Sequence, residues 1–199
     1  PIFIISDEPY REVVYDGAEV PYVPNYYDNT LVCYSYSKSF SLAGERIGYI
    51  VVPNEVSEFG CIYAAIAGAA RVLTHVNAPS LFQKVVARCA GKPSDISIYE
   101  KNRELLYNGL VEAGITCVKP QGAFYLFPDV SAFFGKQYNG QTINNADELV
   151  TFLLQEAHVA CVSGSAFGED NFIRFSYATS EDLIIEAMRR MKEALAKLA

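Results

Sequence analysis

One lysine, Lys38, lies among small hydroxyl-bearing residues directly after an apolar run. Residues 35–39 read SYSKS and follow Leu31–Tyr34, which predicts that a strand ends just before the lysine. A lysine amine can act as a Schiff-base nucleophile where burial or a cationic neighbour favours its neutral form. Lys38 is therefore a candidate nucleophile, although an isolated Ser-x-Ser-Lys sequence more often marks a solvated loop lysine.

Three side chains near Lys38 have the donors that an oxyanion needs. Ser35 and Ser37 offer hydroxyl groups, and Arg46 follows the lysine by eight residues. A guanidinium presents a planar fork of N–H donors that matches a phosphate. The segment thus combines a candidate nucleophile with a candidate phosphate site. The alternatives are an ion pair with Glu45 for Arg46 and ordinary packing for Ser37.

A second element of interest opens the chain. Residues 2–6 form an apolar run, which predicts a buried parallel strand, and the run is followed by Asp7 and Tyr10. A carboxylate at a strand's carboxyl end can pair with the protonated ring nitrogen of pyridoxal phosphate, and a tyrosine can hydrogen-bond its phenolate oxygen. The alternatives are a turn aspartate before Glu8-Pro9 and a packed aromatic ring.

Taken together, these segments resemble the class I/II aminotransferases of fold type I. The resemblance rests on D-x-x-Y at 7–10, S-x-S-K at 35–38 and R-x-G-Y at 46–49. Further segments follow in the family's order, namely PQGAFYLFPD at 120–129, VSGSAFG at 162–168 and FIRFSYAT at 172–179. Members of that family are about twice as long. The resemblance therefore implies the C-terminal half of such an enzyme, and we expect an isolated half to be inactive.

The resemblance implies pyridoxal 5′-phosphate as the cofactor and transfer of an amino group between an α-amino acid and a 2-oxo acid. Lys38 would bind the cofactor aldehyde and then carry the proton at the substrate Cα. Asp7 would keep the ring nitrogen protonated, so that the ring can accept electrons. The catalytic residues would be Lys38, Asp7 and Tyr10. The cofactor-binding residues would be Lys38, Asp7, Tyr10, Ser35, Ser37 and Arg46.

Two further arginines are candidates for substrate binding. Arg174 is predicted on a strand of apolar and small residues, where an unpaired guanidinium is costly and a bidentate substrate carboxylate would supply the anion. The alternative is a structural salt bridge. Arg71 lies in the region where dicarboxylate-specific relatives place an arginine for the substrate side chain, which would favour aspartate with 2-oxoglutarate. An exposed arginine at a helix end is the alternative.

The composition indicates which kinds of partner and binding site to expect. The 199 residues are 51% hydrophobic with a formal net charge of −7, which argues against nucleic-acid binding. No run approaches the roughly 18 apolar residues of a membrane-spanning helix. Five scattered cysteines without a CxxC pair, and only two histidines, do not indicate a metal site. Unpaired thiols favour the cytoplasm, and the resemblance implies a homodimer.

The order of predicted elements indicates an α/β fold with two parts. Residues 1–90 would belong to the cofactor-binding large domain, mainly parallel sheet with helices, and residues 91–199 would form a small α+β domain. Predicted strands are 2–6, 31–35, 46–52, 116–119, 123–127, 159–162 and 172–177, with a short helical turn at 10–15. Predicted helices are 55–71, 80–90, 96–113, 146–158 capped by Asn145, and a last helix opened by Thr179 with Asp182.

Two other functions fit parts of the pattern. A C–S β-lyase of the same fold resembles the chain around the lysine, but the sequence ERIGY at 45–49 is more similar to transaminases. An aminotransferase-like sensor domain of a transcriptional regulator would retain the same acid, tyrosine, lysine and arginine. A DNA-binding domain on its N-terminal side would distinguish such a regulator from an enzyme.

Overall fold

The computed structural model describes all residues from Pro1 to Ala199. The chain forms two compact units, Pro1–Asp95 and Ile96–Ala199. Each unit combines helices with β-strands, so the predicted mixed α/β character is confirmed. None of the helices has the length and apolar character needed to span a membrane.

The first unit is built on a three-stranded sheet. Its strands are β1 (Ile4–Asp7), β2 (Thr30–Ser35) and β3 (Gly48–Val51), in the order β1-β2-β3. Strand β1 pairs with β2 in parallel, whereas β3 pairs with β2 in antiparallel orientation. The sheet of this unit is therefore mixed, where the sequence predicted a mainly parallel one.

Strand β1 is not buried, and this prediction was wrong. Ile2 is 80% exposed and Ile5 is 68% exposed, although both lie in a continuous apolar run. Such a run is buried only where other elements cover both faces of the sheet, and in this unit the side chains of β1 remain open. The predicted helical turn at 10–15 is also absent. Its residues form turns that bury Val13 and Tyr15.

Three helices complete the first unit. They are α1 (Tyr36–Ser39), α2 (Phe59–Val72) and α3 (Ser80–Cys89). Helix α2 begins four residues later than predicted because Glu58, directly before it, has a φ of 57° and cannot continue a right-handed helix. Helix α3 agrees with its prediction within one residue.

The second unit has a three-stranded antiparallel sheet and a hairpin. Strands β4 (Tyr125–Leu126), β7 (Val162–Ser163) and β8 (Ile173–Ser176) pair in the order β4-β8-β7, and β5 (Gln137–Tyr138) pairs with β6 (Gln141–Thr142). The strand predicted at 116–119 is not formed. Thr116 makes only an isolated bridge to Asp129, and Val118 points into solvent.

The helices of the second unit are α4 (Ser97–Glu112), α5 (Ala146–Phe152), which continues as a π-helix over Leu153–Ala157, and α6 (Glu181–Leu195). The predicted cap of α5 is confirmed, since the Asn145 side chain accepts from Glu148 N at 2.9 Å. The predicted cap of α6 was wrong: Ser180 occupies that position, and it makes no side-chain hydrogen bond to the helix.

The core of the second unit lies between α4 and α6. The predicted apolar stripe of α6 is buried, with side chains at spacings of three and four residues: Ile184, Met188, Met191 and Leu195. Gly109 of α4 allows the close contact, because a Cβ there would lie 2.8 Å from Met188 Cγ.

Candidate active site

The topology of the first sheet brings several predicted site residues to one edge. Strands β1 and β2 are parallel, so Asp7 and Ser35, the last residues of each, lie at the same end of the sheet. Strand β3 runs the opposite way and starts at Gly48, whose register partner is Ser35. Arg46, two residues before that start, therefore reaches the same edge. We call this edge, with Asp7, Ser35 and the residues that follow them, the lysine edge.

The register also decides which side chains share a face. Asp7 pairs with Cys33, and Cys33 is two residues from Ser35 on the same strand. Because side chains alternate along a strand, Asp7, Cys33 and Ser35 lie on one face of the sheet. Burial raises the pKa of the Cys33 thiol, and the nearby Asp7 carboxylate raises it further. This electrostatic contribution agrees with the placement of Asp7 beside β2.

Lys38 is positioned by the short helix that follows β2. Ser35 caps this helix: its Oγ accepts from Ser37 N at 3.2 Å and donates to Ser37 Oγ at 2.8 Å. The Lys38 Nζ lies over the Tyr10 ring, 5.4 Å from its centroid. The structure therefore brings together four of the predicted residues here, namely Ser35, Ser37, Lys38 and Tyr10.

Three residues that support helix α1 were missed by the sequence analysis. The Tyr34 hydroxyl lies 2.7 Å from Glu12 Oε2 and 2.7 Å from Ser39 Oγ. Burial raises the pKa of Tyr34, so the phenol stays protonated and donates. No local signal could have identified this network, because Glu12 lies 22 positions away in the sequence.

Arg46 is held in an unusual backbone conformation. Its φ is 51°, in the left-handed region that is uncommon for residues other than glycine. Its Nη1 donates to Ala43 O at 3.0 Å, while its other guanidinium N–H groups have no protein acceptor. The side chain is exposed, and the alternative ion pair with Glu45 is not formed. Arg46 thus retains donors for an anion.

Gly48 allows the start of β3 to approach β2 closely. A Cβ at this position would lie 2.3 Å from Tyr34 O, a distance that no side chain can occupy. Only glycine therefore permits the observed backbone contact, which places the Arg46 segment beside the end of β2.

Arg174 lies in the second unit, on the central strand of its sheet. Its register partner is Val162 of β7. The guanidinium carbon lies over two aromatic rings, 4.7 Å from the centroid of Tyr125 and 4.5 Å from that of Phe167. No acidic side chain pairs with it, so the alternative of a structural salt bridge is not formed. Its N–H groups remain available to a carboxylate.

Other features do not add to these sites. Arg71 lies exposed in the last turn of α2 without an ion pair. A cavity of about 690 Å³ in the second unit lies between the β5–β6 hairpin and α5 and contains none of the predicted residues. Its acids Asp147, Glu148 and Glu156 already accept hydrogen bonds from neighbouring side chains or backbone.

Comparisons with known proteins agree with the motifs. The sequence profile of "Aminotransferase class I and II" matches residues 1–191. The probable aspartate/prephenate aminotransferase of Aquifex aeolicus is 34% identical over 99% of the chain, which spans 50% of that relative. An aminotransferase crystal structure from Eubacterium rectale is 46% identical with a TM-score of 0.86, over 99% of this chain and 46% of that one.

A second solved structure, the aspartate aminotransferase of Rhizobium meliloti, is 31% identical with a TM-score of 0.83 and covers 99% of this chain and 50% of that one. The chain thus spans about half the length of the relatives it matches. Within that span the sequence profile and the fold agree with the resemblance predicted from the motifs, and the chain belongs to the class I and II aminotransferase family.

Proposed function

We propose that this chain is the lysine-bearing part of an aminotransferase that moves an amino group between an α-amino acid and a 2-oxo acid. The observation that carries the proposal is the lysine edge, where the ends of β1 and β2 and the start of β3 bring together an acid, a lysine, two serines and an arginine. The class I and II family uses pyridoxal 5′-phosphate, the cofactor that the sequence predicted.

The residues at the lysine edge fit this cofactor chemically. A phosphate needs N–H and O–H donors, and Ser35, Ser37 and the unpaired N–H groups of Arg46 supply them. A ring nitrogen that stays protonated needs an anion, and Asp7 supplies one on the same sheet face as Ser35. A cofactor aldehyde needs an amine, which Lys38 supplies beside Tyr10.

Each side chain then has a task in the reaction. A bound pyridoxal phosphate would supply an electron sink for the substrate Cα. Lys38 binds the cofactor and moves the proton at Cα. Asp7 keeps a proton on the ring nitrogen, and Tyr10 donates a hydrogen bond to the ring oxygen. Ser35, Ser37 and Arg46 fix the phosphate, while Arg174 binds the substrate carboxylate.

The substrate and the assembly belong to the same proposal. The relatives named above include aspartate aminotransferases, so we propose aspartate and 2-oxoglutarate as the first substrate pair. Within the proposal, Pro1–Asp95 belongs to the large domain and Ile96–Ala199 is the small domain. A cytoplasmic homodimer is the proposed state, in line with five free cysteines.

The test is covalent labelling of the lysine. We expect borohydride reduction of the purified full-length protein with pyridoxal phosphate to add the reduced cofactor to the peptide that contains Lys38, as read by mass spectrometry. Lys38→Ala should lose both this label and amino transfer. Lys84→Ala, which removes an exposed lysine on α3, is the matched control and should retain both. Transamination by the Lys38→Ala protein would overturn the proposal.

A further inference from the structure

Arg174 is surrounded by aromatic rings rather than by acids. Tyr125 and Phe167 both lie within cation–π distance of its guanidinium, at 4.7 and 4.5 Å from the ring centroids. No protein acceptor binds its N–H groups. The cation is therefore held by two ring surfaces, which contact the guanidinium without occupying its hydrogen-bond donors. We call this arrangement the aromatic bracket.

The Phe167 side of the aromatic bracket depends on a tight turn. Phe167 ends a 3₁₀ helix, Gly164–Phe167, that directly follows β7. A Cβ on Gly164 would lie 2.1 Å from Glu169 O and 2.6 Å from Phe172 O, so the turn closes only with glycine. Ser165 Oγ donates to Asp147 Oδ1 at 2.9 Å, which fastens the turn to α5.

The Tyr125 side depends on the sheet. Tyr125 belongs to β4 and pairs with Ser176 of β8, two residues beyond Arg174. Its ring also lies 5.0 Å from that of Phe124, which is buried. Tyr125 is thus fixed by the core, whereas Phe167 is 47% exposed and contributes little to the core. A change at Phe167 therefore tests the bracket with little effect on folding.

We propose that Phe167 is a positioning residue that sets the affinity of Arg174 for the substrate carboxylate. This inference rests on the proposed role of Arg174 in carboxylate binding. A free arginine side chain samples many rotamers and loses that freedom when it binds a carboxylate. The aromatic bracket restricts the guanidinium before the carboxylate arrives. The two rings also cover part of the guanidinium surface, and this partial loss of hydration strengthens the ion pair that then forms.

The expected effect is on binding rather than on the chemical step. Arg174 holds the carboxylate in the ground state and in the transition state alike, so loss of its pre-orientation raises KM and leaves kcat nearly unchanged. A single exposed cation–π contact has a modest energy, and we expect Phe167→Leu to raise KM by roughly two- to fivefold. Phe167→Tyr keeps an aromatic face and should restore the original KM within about twofold.

The experiment uses the complete protein loaded with its cofactor and measures both kinetics and binding. KM and kcat are determined for the amino-acid substrate, and the Kd of propionate, with propionamide as its uncharged analogue, is measured by NMR titration. Phe172→Leu is the matched control. The Phe172 ring stacks on Phe127 at 5.1 Å, and Phe127 also contacts Phe167, but Phe172 makes no cation–π contact with Arg174. Phe167→Leu should weaken propionate binding by the same factor as KM, and Phe172→Leu should not.

The outcomes separate this inference from the proposed function. If Arg174→Lys weakens propionate binding while Phe167→Leu leaves KM and the propionate Kd unchanged, the positioning role of Phe167 is wrong and the carboxylate site stands. If Arg174→Lys has no effect on either quantity, the carboxylate site itself is wrong, and the inference ends with it. A loss of kcat in Phe167→Leu at constant KM would also overturn the inference.

Discussion

The two units of this protein bury their apolar residues to very different degrees. In the second unit, α4, α6 and β8 enclose a core in which Leu110, Ile173 and Tyr177 have no exposed surface. In the first unit, α2 is strongly apolar and yet has no buried residue. Large apolar side chains on its strands and helices are exposed to solvent, for example Ile5, Tyr63 and Leu81.

The residues that stabilise the fold and the candidate catalytic residues therefore lie mostly in different units. The second unit has the packing that stabilises a domain, and it carries one predicted site residue, Arg174. The first unit carries the predicted cofactor-binding residues at the lysine edge and Arg71 on α2, and its helices bury few side chains. Large exposed apolar side chains in this number are typical of surfaces that contact another element or chain. We therefore expect the two units to respond differently to the same kind of substitution.

The largest expected difference is between core and surface truncations. Leu110→Ala in α4 creates a cavity in a fully buried site and should lower the free energy of unfolding by about 2–5 kcal/mol. Val72→Ala at the end of α2, where the side chain is 83% exposed, should change it by less than about 0.5 kcal/mol. Urea unfolding measures both, and equal effects would contradict the comparison.

The next effect concerns buried hydrogen bonds near Arg174. Asn102 is 1% exposed, and its Nδ2 donates to Tyr177 O at 3.0 Å and to Thr179 O at 2.7 Å, just after β8. Asn102→Ala removes both of these hydrogen bonds from a buried site and should cost about 2–3 kcal/mol. Its control is Asn144→Ala in an exposed loop, with an expected cost of about 1 kcal/mol or less. A smaller loss at Asn102 than at Asn144 would refute this ranking.

A third pair of variants tests the backbone of the first unit. Gly48→Ala places a Cβ against Tyr34 O and must displace β3, so we expect a loss of about 1–3 kcal/mol and weaker cofactor binding. Gly60→Ala in α2 meets no atom within 4 Å and should be neutral or raise stability by up to about 1 kcal/mol. Thermal unfolding and a cofactor titration measure the two effects. Unchanged cofactor affinity in Gly48→Ala would show that the position of β3 does not affect the cofactor site.

The smallest expected effect is on the pH dependence of stability and comes from removing a surface charge on α6. Hydrogen bonds from Arg189 and Arg190 lower the pKa of the Glu186 carboxyl from its ordinary value of 4.5 to about 2. Because the folded-state pKa is the lower one, its contribution is present above pH 4.5 and is lost as the pH falls towards 2. Glu186→Gln should make stability slightly less dependent on pH in that window. NMR titration measures the pKa of Glu186 directly, and a value near 4.5 would contradict this prediction.

Local patterns predicted some elements well. The apolar stripe of α6 follows a helical period, and the structure buries each of its predicted members within the helix. The cap at Asn145 was also readable, because capping depends on residues three positions apart. The full capping box is not formed: the Glu148 carboxylate accepts from Asn144 N, whereas the motif requires the N–H of the cap residue, Asn145.

Other features depend on contacts between distant segments. The exposure of β1 was mispredicted because its run of isoleucines says nothing about what covers it. The aromatic bracket joins Tyr125, Phe167 and Arg174, which lie up to 49 positions apart in the sequence. The cap of α6 was misplaced by one residue, and Thr179, the predicted cap, lies before the helix with its carbonyl accepting from Asn102 of α4, 77 positions away in the sequence.

The sequence by itself determined the family and the chemical types at the site, since motifs such as S-x-S-K depend on covalent order and local turns. Only the tertiary structure decided that Asp7 and Ser35 share a face, that Arg46 reaches the same edge, and that Arg174 meets two rings and no acid. The physical reason is that strand register and packing join residues far apart in the chain. No local spacing encodes those contacts.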